Sequence, residues 1–356
     1  MGKSVLLRSI AACAVLTMAA GLFAARSVLS QGAAPHYVAD VSWPKPLPDL
    51  WVLGGLGGVC VDAQDHVVVL NRQDVYEGDL NAGKLAPPII EFDPAGNVVH
   101  SWGDAKLAAQ RLHGCHFDAD GNLWLAGADT GMVRKYSHDG TKLLLQIGQD
   151  GVFDSDDGTI KGRPLNSNAA RFFMPSSLFV DRQNGDVYVA DGEGINGNRR
   201  IAVVDRIGTF LRQWQPEGTD TVHCLSMSND GLIYVCNREH GRVQVYDRMG
   251  SFKANIEVPW IPVTRPADGK ITESGGSAAS LAFSPDPERR LMFVINQNNG
   301  RIDILERKTG KRLSSFGRLG NFPGEFNQPH GIAVDSKGDV YVAENRGKRI
   351  HKFKSR

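Results

Sequence analysis

The sequence has almost no net charge. Its 40 Lys and Arg stand against 39 Asp and Glu, which leaves +1 at neutral pH with histidine uncharged. A polyanion is bound through a basic surplus, so nothing electrostatic supports nucleic acid as a partner. Long hydrophobic runs are missing beyond the N-terminus, which leaves no later segment able to span a membrane. No sustained helical period of apolar positions occurs, so helices are not the framework. Cysteine is scarce. Outside the N-terminal run there are Cys60, Cys115, Cys224 and Cys236. Cys224 and Cys236 fall on two successive strands of one hairpin, a placement that permits a disulfide. All four suit small buried apolar positions equally well.

The one hydrophobic run has a definite character. Lys3 and Arg8 precede "IAACAVLTMAAGLFAA", and small polar residues follow it. That order reads as a secretory signal peptide over residues 1–30, cleaved between about Ala24 and Ala34. The run is short for an anchor, which needs roughly 20 apolar residues. The expectation is an exported protein, periplasmic or secreted, without stable membrane insertion after cleavage.

What the rest of the chain does have is repetition. Six segments share a short apolar strand ending in Asp or Ser, a turn, and a second strand rich in aromatics. They are "GGVCVDAQDHVVVL", "HGCHFDADGNLWLA", "SSLFVDRQNGDVYVA", "HCLSMSNDGLIYVC", "ASLAFSPDPERRLMFVI" and "HGIAVDSKGDVYVA". The anchoring residues are Asp62, Asp118, Asp181, Ser228, Ser284 and Asp335. A third strand follows each pair, as in "RVQVYD" and "RIHKFK", and a fourth often follows that. Alternating apolar residues between Gly, Asp and Asn turns mark strands. The fold class is therefore all-β: a six-bladed β-propeller forming a single domain over residues 36–356. The sixth repeat stops after its third strand. Residues 36–44, "HYVADVSWP", are expected to supply its outer strand and close the ring, removing an open sheet edge.

The repeat register singles out a set of histidines. Five residues before each anchor stand Gly57, His113, Ser176, His223, Ala279 and His330. Histidine occupies alternate repeats and small residues the others. The first strand of a blade lines the central channel, so His113, His223 and His330 should form a near-threefold ring at one mouth. With 10 histidines in 356 residues, chance placement in this pattern is improbable. Three converging imidazoles suit a divalent metal, zinc above all, with one position left open. His36, His66, His116, His138, His240 and His351 fall outside the register and read as structural or surface residues.

The second strand returns to the same mouth, so the residues after it should lie near the ring. These include Arg72, Asp129, Glu193, Arg238 and Glu344. Arg72 and Arg238 with a dication make a cationic pocket fitted to a small or peptidyl carboxylate. Tyr76, in a loop after Arg72, and Glu193 are the candidate general bases. The insertion "GVFDSDDGT", with Asp154, Asp156 and Asp157, lacks the remaining spacing of a calcium loop. It reads as a solvated loop near the mouth.

The repeats resemble NHL repeats. From about Gly54 to Phe353 the chain resembles the peptidyl-α-hydroxyglycine α-amidating lyase family, best at "HGCHFDADGNLW", "VCNREHGRVQVY" and "PHGIAVDSKGDVYVAENRGKRIHKF". The resemblance implies a six-bladed propeller that releases a peptide amide and glyoxylate. It implies zinc on His113, His223 and His330, and substrate-holding roles for Arg72 and Arg238. Two positions depart from that pattern. "ADGEGINGNRRI" puts Glu193 where the family has a catalytic tyrosine. Gly331 stands where the family's structural calcium finds a carboxylate, with Val59 and Cys115 at the matching carbonyl positions. The expected function is a monomeric, exported, metal-dependent lyase acting on a carboxylate-bearing α-hydroxy compound. The residues leave two alternatives: a metal-dependent hydrolase on the same frame, and a non-catalytic NHL-type binding module.

Overall fold

The structure is a computed structural model that describes residues 35–194, 196–261 and 276–356. The expected signal segment lies outside the described residues. Six four-stranded antiparallel sheets follow one another along the chain. Their inner strands are Leu56–Val61, Leu112–Phe117, Pro175–Val180, Val222–Met227, Ala278–Phe283 and Pro329–Val334. They pack in sequence order, the last against the first, so the sheets are the blades of a β-propeller. Among the described residues helix is confined to short turns such as Ala105–Ala108, and no described helix is long and apolar enough to cross a membrane.

The alternation along each strand explains how the blades stack. In the second strand of blade one, Val67 and Val69 face blade six while Val68 and Leu70 face blade two. Every blade divides its apolar residues this way. The buried core is accordingly six clusters, each held between two consecutive blades.

Ring closure follows the expected route with a shorter strand. Tyr37–Ala39 pairs antiparallel with Arg349–Ser355 as the outer edge of blade six. Asp40 N donates to Lys352 O, and Arg356 N donates to His36 O, both at 2.8 Å. After Ala39 the chain turns inward. Trp43 is buried at the joint of blades six and one, with ring centroids 5.4 Å from Phe92 and 5.0 Å from Tyr341. The four cysteines form two disulfides. Cys224–Cys236 joins directly paired residues of one hairpin, and Cys60–Cys115 ties the inner strand of blade one to that of blade two.

Candidate metal centre

A bulge sets up the site. In every blade the pairing of the inner strand with its neighbour skips near its first residues: between Leu56 and Gly58, Leu112 and Gly114, Pro175 and Ser177, Val222 and Cys224, Ala278 and Leu281, Pro329 and Gly331. The skipped residue is the register position, Gly57, His113, Ser176, His223, Ala279 or His330, with Ser280 also skipped in blade five. A bulge frees one residue from the ladder and re-aims its side chain. Here it turns three imidazoles toward the axis. The small residues between them let the backbones meet: a Cβ on Gly57 would fall 1.8 Å from Leu112 O.

The three rings are buried and mutually edge-on, with centroids 4.6 to 5.0 Å apart. One ligand nitrogen from each lies within 4.8 Å of the others. Backbone carbonyls fix the tautomers of two of the rings. His223 Nδ1 donates to Ala279 O at 2.5 Å and His330 Nδ1 to Gly57 O at 2.8 Å. A ring that donates through Nδ1 leaves the Nε2 lone pair free to bind a cation. Burial, first of all, pushes all three imidazoles below their ordinary pKa, and the neighbouring arginines add to it. They are neutral, as metal ligands must be.

Glu193 is brought onto this ring. Its Oε2 lies 3.4 Å from both His113 Nε2 and His223 Nε2. All three atoms are buried without a hydrogen-bond partner. Because His223 donates through Nδ1, the Glu193 oxygen faces an acceptor nitrogen there, a costly arrangement unless a cation sits between them. The separation also matches the edge of a tetrahedron of metal ligands, about 3.3 Å for bonds near 2.05 Å. The donor set thus fits a zinc-like ion. Burial works to raise the Glu193 carboxyl, but the positive charge around it, Arg238 included, outweighs burial and keeps the group ionised.

The turn that carries Glu193 is anchored rigidly. Glu193 N and Gly192 N both donate to Met174 O, and Phe173 N donates to Asp191 Oδ1. Arg200, wholly buried, bridges Asp191 Oδ2 at 2.9 Å and Asp154 Oδ2 at 3.1 Å, while Asn198 Nδ2 donates to both carboxylates. Asp154 is therefore not part of a solvated loop. It is buried because the cation and amide behind blade three need its charge, whereas Asp156 and Asp157 are less enclosed.

Three arginines surround the ring. Arg72 is pushed down to about 10 by burial and then by Arg111, and it stays charged at neutral pH. Its Nε donates to Leu112 O at 3.0 Å, and its Nη2 is buried without a partner. Arg238 has Nε and Nη2 on Glu239 Oε1 at 2.9 and 2.8 Å, leaving Nη1 3.9 Å from Glu193 Oε1. The third, Arg111, was not anticipated. It holds Asp129 at 2.9 Å and places Nη1 3.9 Å from Glu193 Oε1. Its position two residues before His113 was the available signal, since the entry to an inner strand lies at the ring mouth.

Tyr76 is not brought to the ring. Its side chain is 79% exposed, with Lys348 Nζ 5.1 Å above the phenol. Tyr76 caps the 3-10 turn Glu77–Asn81, its backbone N–H donating to Asp79 Oδ2 at 3.1 Å. The axial channel beneath the ring is lined by residues including Val59, Cys115, Arg182 and Gly331, with no carboxylate among its lining. Calcium takes carboxylate, carbonyl and water oxygens, and of these the lining side chains offer no carboxylate.

Comparisons with known proteins follow this geometry. The NHL repeat family model matches residues 219–246 and 326–353, the segments that carry His223 and His330. Human NHL repeat-containing protein 3 is 24% identical over 330 residues, 89% of this chain and 84% of its own length. Peptidyl-alpha-hydroxyglycine alpha-amidating lyase 1 of Drosophila melanogaster is 26% identical over 359 residues, covering 89% of this chain but 59% of that protein. Mouse peptidyl-glycine alpha-amidating monooxygenase is 24% identical, with 32% of its length covered. A streptogramin B lyase structure superposes with a TM-score of 0.52 at 13% identity, over 91% of this chain and 98% of that one, and speaks to the fold alone. The chain is a β-propeller with NHL repeats at residues 219–246 and 326–353, and it is similar both to amidating lyases and to NHL repeat-containing protein 3.

Proposed function

We propose that the protein is an exported, metal-dependent lyase of the amidating type, acting on a small or peptidyl α-hydroxy acid. One observation carries the reading: two imidazole Nε2 atoms, each 3.4 Å from Glu193 Oε2, stand buried with that oxygen and without hydrogen-bond partners, inside a collar of arginines. His113, His223 and His330 would hold the ion. When bound there, it supplies a Lewis acid for the substrate hydroxyl.

The side chains divide the remaining work. The Arg72 Nη2 edge, with Arg111 and Arg238 nearby, binds the substrate carboxylate and orients the α-carbon toward the ring. Glu193 accepts the hydroxyl proton. The O–H electron pair becomes the carbonyl of glyoxylate, the C–N bond breaks with its pair going to nitrogen, and Glu193 returns the proton to that nitrogen. No net proton is gained or lost. The two disulfides support export, because such bonds persist in oxidising compartments.

Release of glyoxylate from α-hydroxyhippurate by zinc-loaded protein tests the reading. Turnover that is lost in Glu193→Gln and Arg72→Ala is the expected result. No turnover by the zinc-loaded wild type would move the function to an NHL-repeat binding module. The full-length likeness to a protein named only for its repeats favours that second reading.

A further inference from the structure

A second cluster lies at the opposite end of blade one, where the inner strand finishes. Its logic comes from the repeat. In blade two the anchor Asp118 meets Lys135 at 2.8 Å, and Trp124 Nε1 donates to it at 3.0 Å. In blade six Asp335 receives the Tyr341 hydroxyl at 3.0 Å, with Lys352 Nζ at 4.0 Å. The lysine sits on the third strand, directly paired with the aromatic residue. Blade one differs from these two blades. The residue paired with Val68 at that place is Glu91. Two buried carboxylates, Asp62 and Glu91, thus stand where blades two and six pair an acid with a base.

Two histidines face this pair. His66 Nδ1 is 2.7 Å from Glu91 Oε1, and His138 Nε2 is 3.1 Å from the same oxygen. To Asp62 Oδ2 the distances are 4.0 Å from His66 Nδ1 and 3.7 Å from His138 Nε2. Backbone N–H groups of Gln64 and His66 occupy Asp62 Oδ1. Oδ2 is buried, carries no hydrogen bond and points into the cluster. The four separations bracket the roughly 3.3 Å edge of a tetrahedral site.

We propose that Asp62, Glu91 and His138, with His66 on the fourth side, form a second divalent-metal site at the seam of blades one and two. Asp62 Oδ2, Glu91 Oε1 and His138 Nε2 are within 4.8 Å of one another and supply the core of the site. Two imidazoles and two carboxylates are the donor set of a zinc-like first-row ion. The ion would replace the lysine of blades two and six as the charge that neutralises the anchor. It would also cross-link two blades, since His138 lies in the turn after the third strand of blade two. In blade four the residue at that turn position, Arg248, reaches back to Asp181 of blade three at 2.8 Å.

Zinc uptake by the chelator-stripped full chain tests this, read by equilibrium dialysis at roughly micromolar free zinc. A chain carrying His223→Ala, in which the axial ring is broken, is expected to take up one zinc. The same chain with His138→Ala or Glu91→Gln added is expected to take up none. Two substitutions are used because Glu91 is buried while His138 is partly exposed, so at least one variant should fold, as checked by circular dichroism. Uptake unchanged by either addition would overturn the proposal, as would a His223→Ala chain that binds no zinc. The latter outcome would mean that the histidines serve as an ordinary ion-paired clamp.

Discussion

Glu193 Oε2 and His223 Nε2 face each other at 3.4 Å, both buried and neither hydrogen-bonded. Because His223 spends its proton on Ala279 O, no donor lies between them. In the function proposed, a carboxylate held there meets both the ion and the substrate hydroxyl.

Glu193→Gln should separate the carboxylate's chemistry from its shape. The amide keeps the volume but accepts no proton. We expect kcat to fall by about 10²- to 10³-fold with zinc content unchanged. Single-turnover glyoxylate release beside elemental analysis checks it. Activity near wild type would remove Glu193 from the proton path.

Arg72→Ala removes the buried guanidinium whose Nη2 has no internal partner. The expected loss in kcat/KM is about 30-fold, or ~2 kcal/mol, on a carboxylate substrate. An ester analogue should show little difference between variant and wild type. Equal losses on acid and ester would mean that Arg72 is structural.

Much of this was legible in the sequence. Each anchoring residue, from Asp62 to Asp335, directly follows an inner strand, so counting back from it located every bulge and hence the three histidines. Closure by the N-terminal segment followed from a repeat that lacked its fourth strand. Side-chain partners across blades were not legible. The Cys60–Cys115 bond, the Arg200 bridge that buries Asp154, and Arg111 beside Glu193 all join residues whose separation in sequence says nothing about contact. Glu193 was legible as a position but not as a contact, because the anchoring of its turn by Met174 O and Arg200 is tertiary.

Ring closure depends on one aromatic plug. Trp43 is buried against Phe92 and Tyr341 at the only seam that joins the two ends of the ring. Trp43→Ala should cost about 3–5 kcal/mol. A thermal melt lowered by several degrees is the expected reading. An unchanged melt would show that the Tyr37–Ala39 strand holds the seam without it.

Acid should loosen the channel. Burial, then Arg182, lowers His116 to about 4, from 6.5 for an unperturbed histidine. Above pH 6.5 it is neutral in both states and contributes no pH dependence. As the pH falls from 6.5 toward 4, only the unfolded chain takes up the proton, so stability declines. The loss is roughly 2 kcal/mol, allowing for partial exposure to the channel. Melting curves of chelator-treated protein across that window should fall less steeply for His116→Phe than for wild type. Parallel curves would show that His116 takes its proton when folded.

The most direct measurement concerns the ring itself. Crystals of the full chain grown with zinc, measured on both sides of the zinc absorption edge, locate the ion without reference to activity. The account predicts an anomalous peak bounded by the Nε2 atoms of His113, His223 and His330. An axial channel with no peak at those three nitrogens, in crystals that diffract well enough to show their side chains, would contradict it.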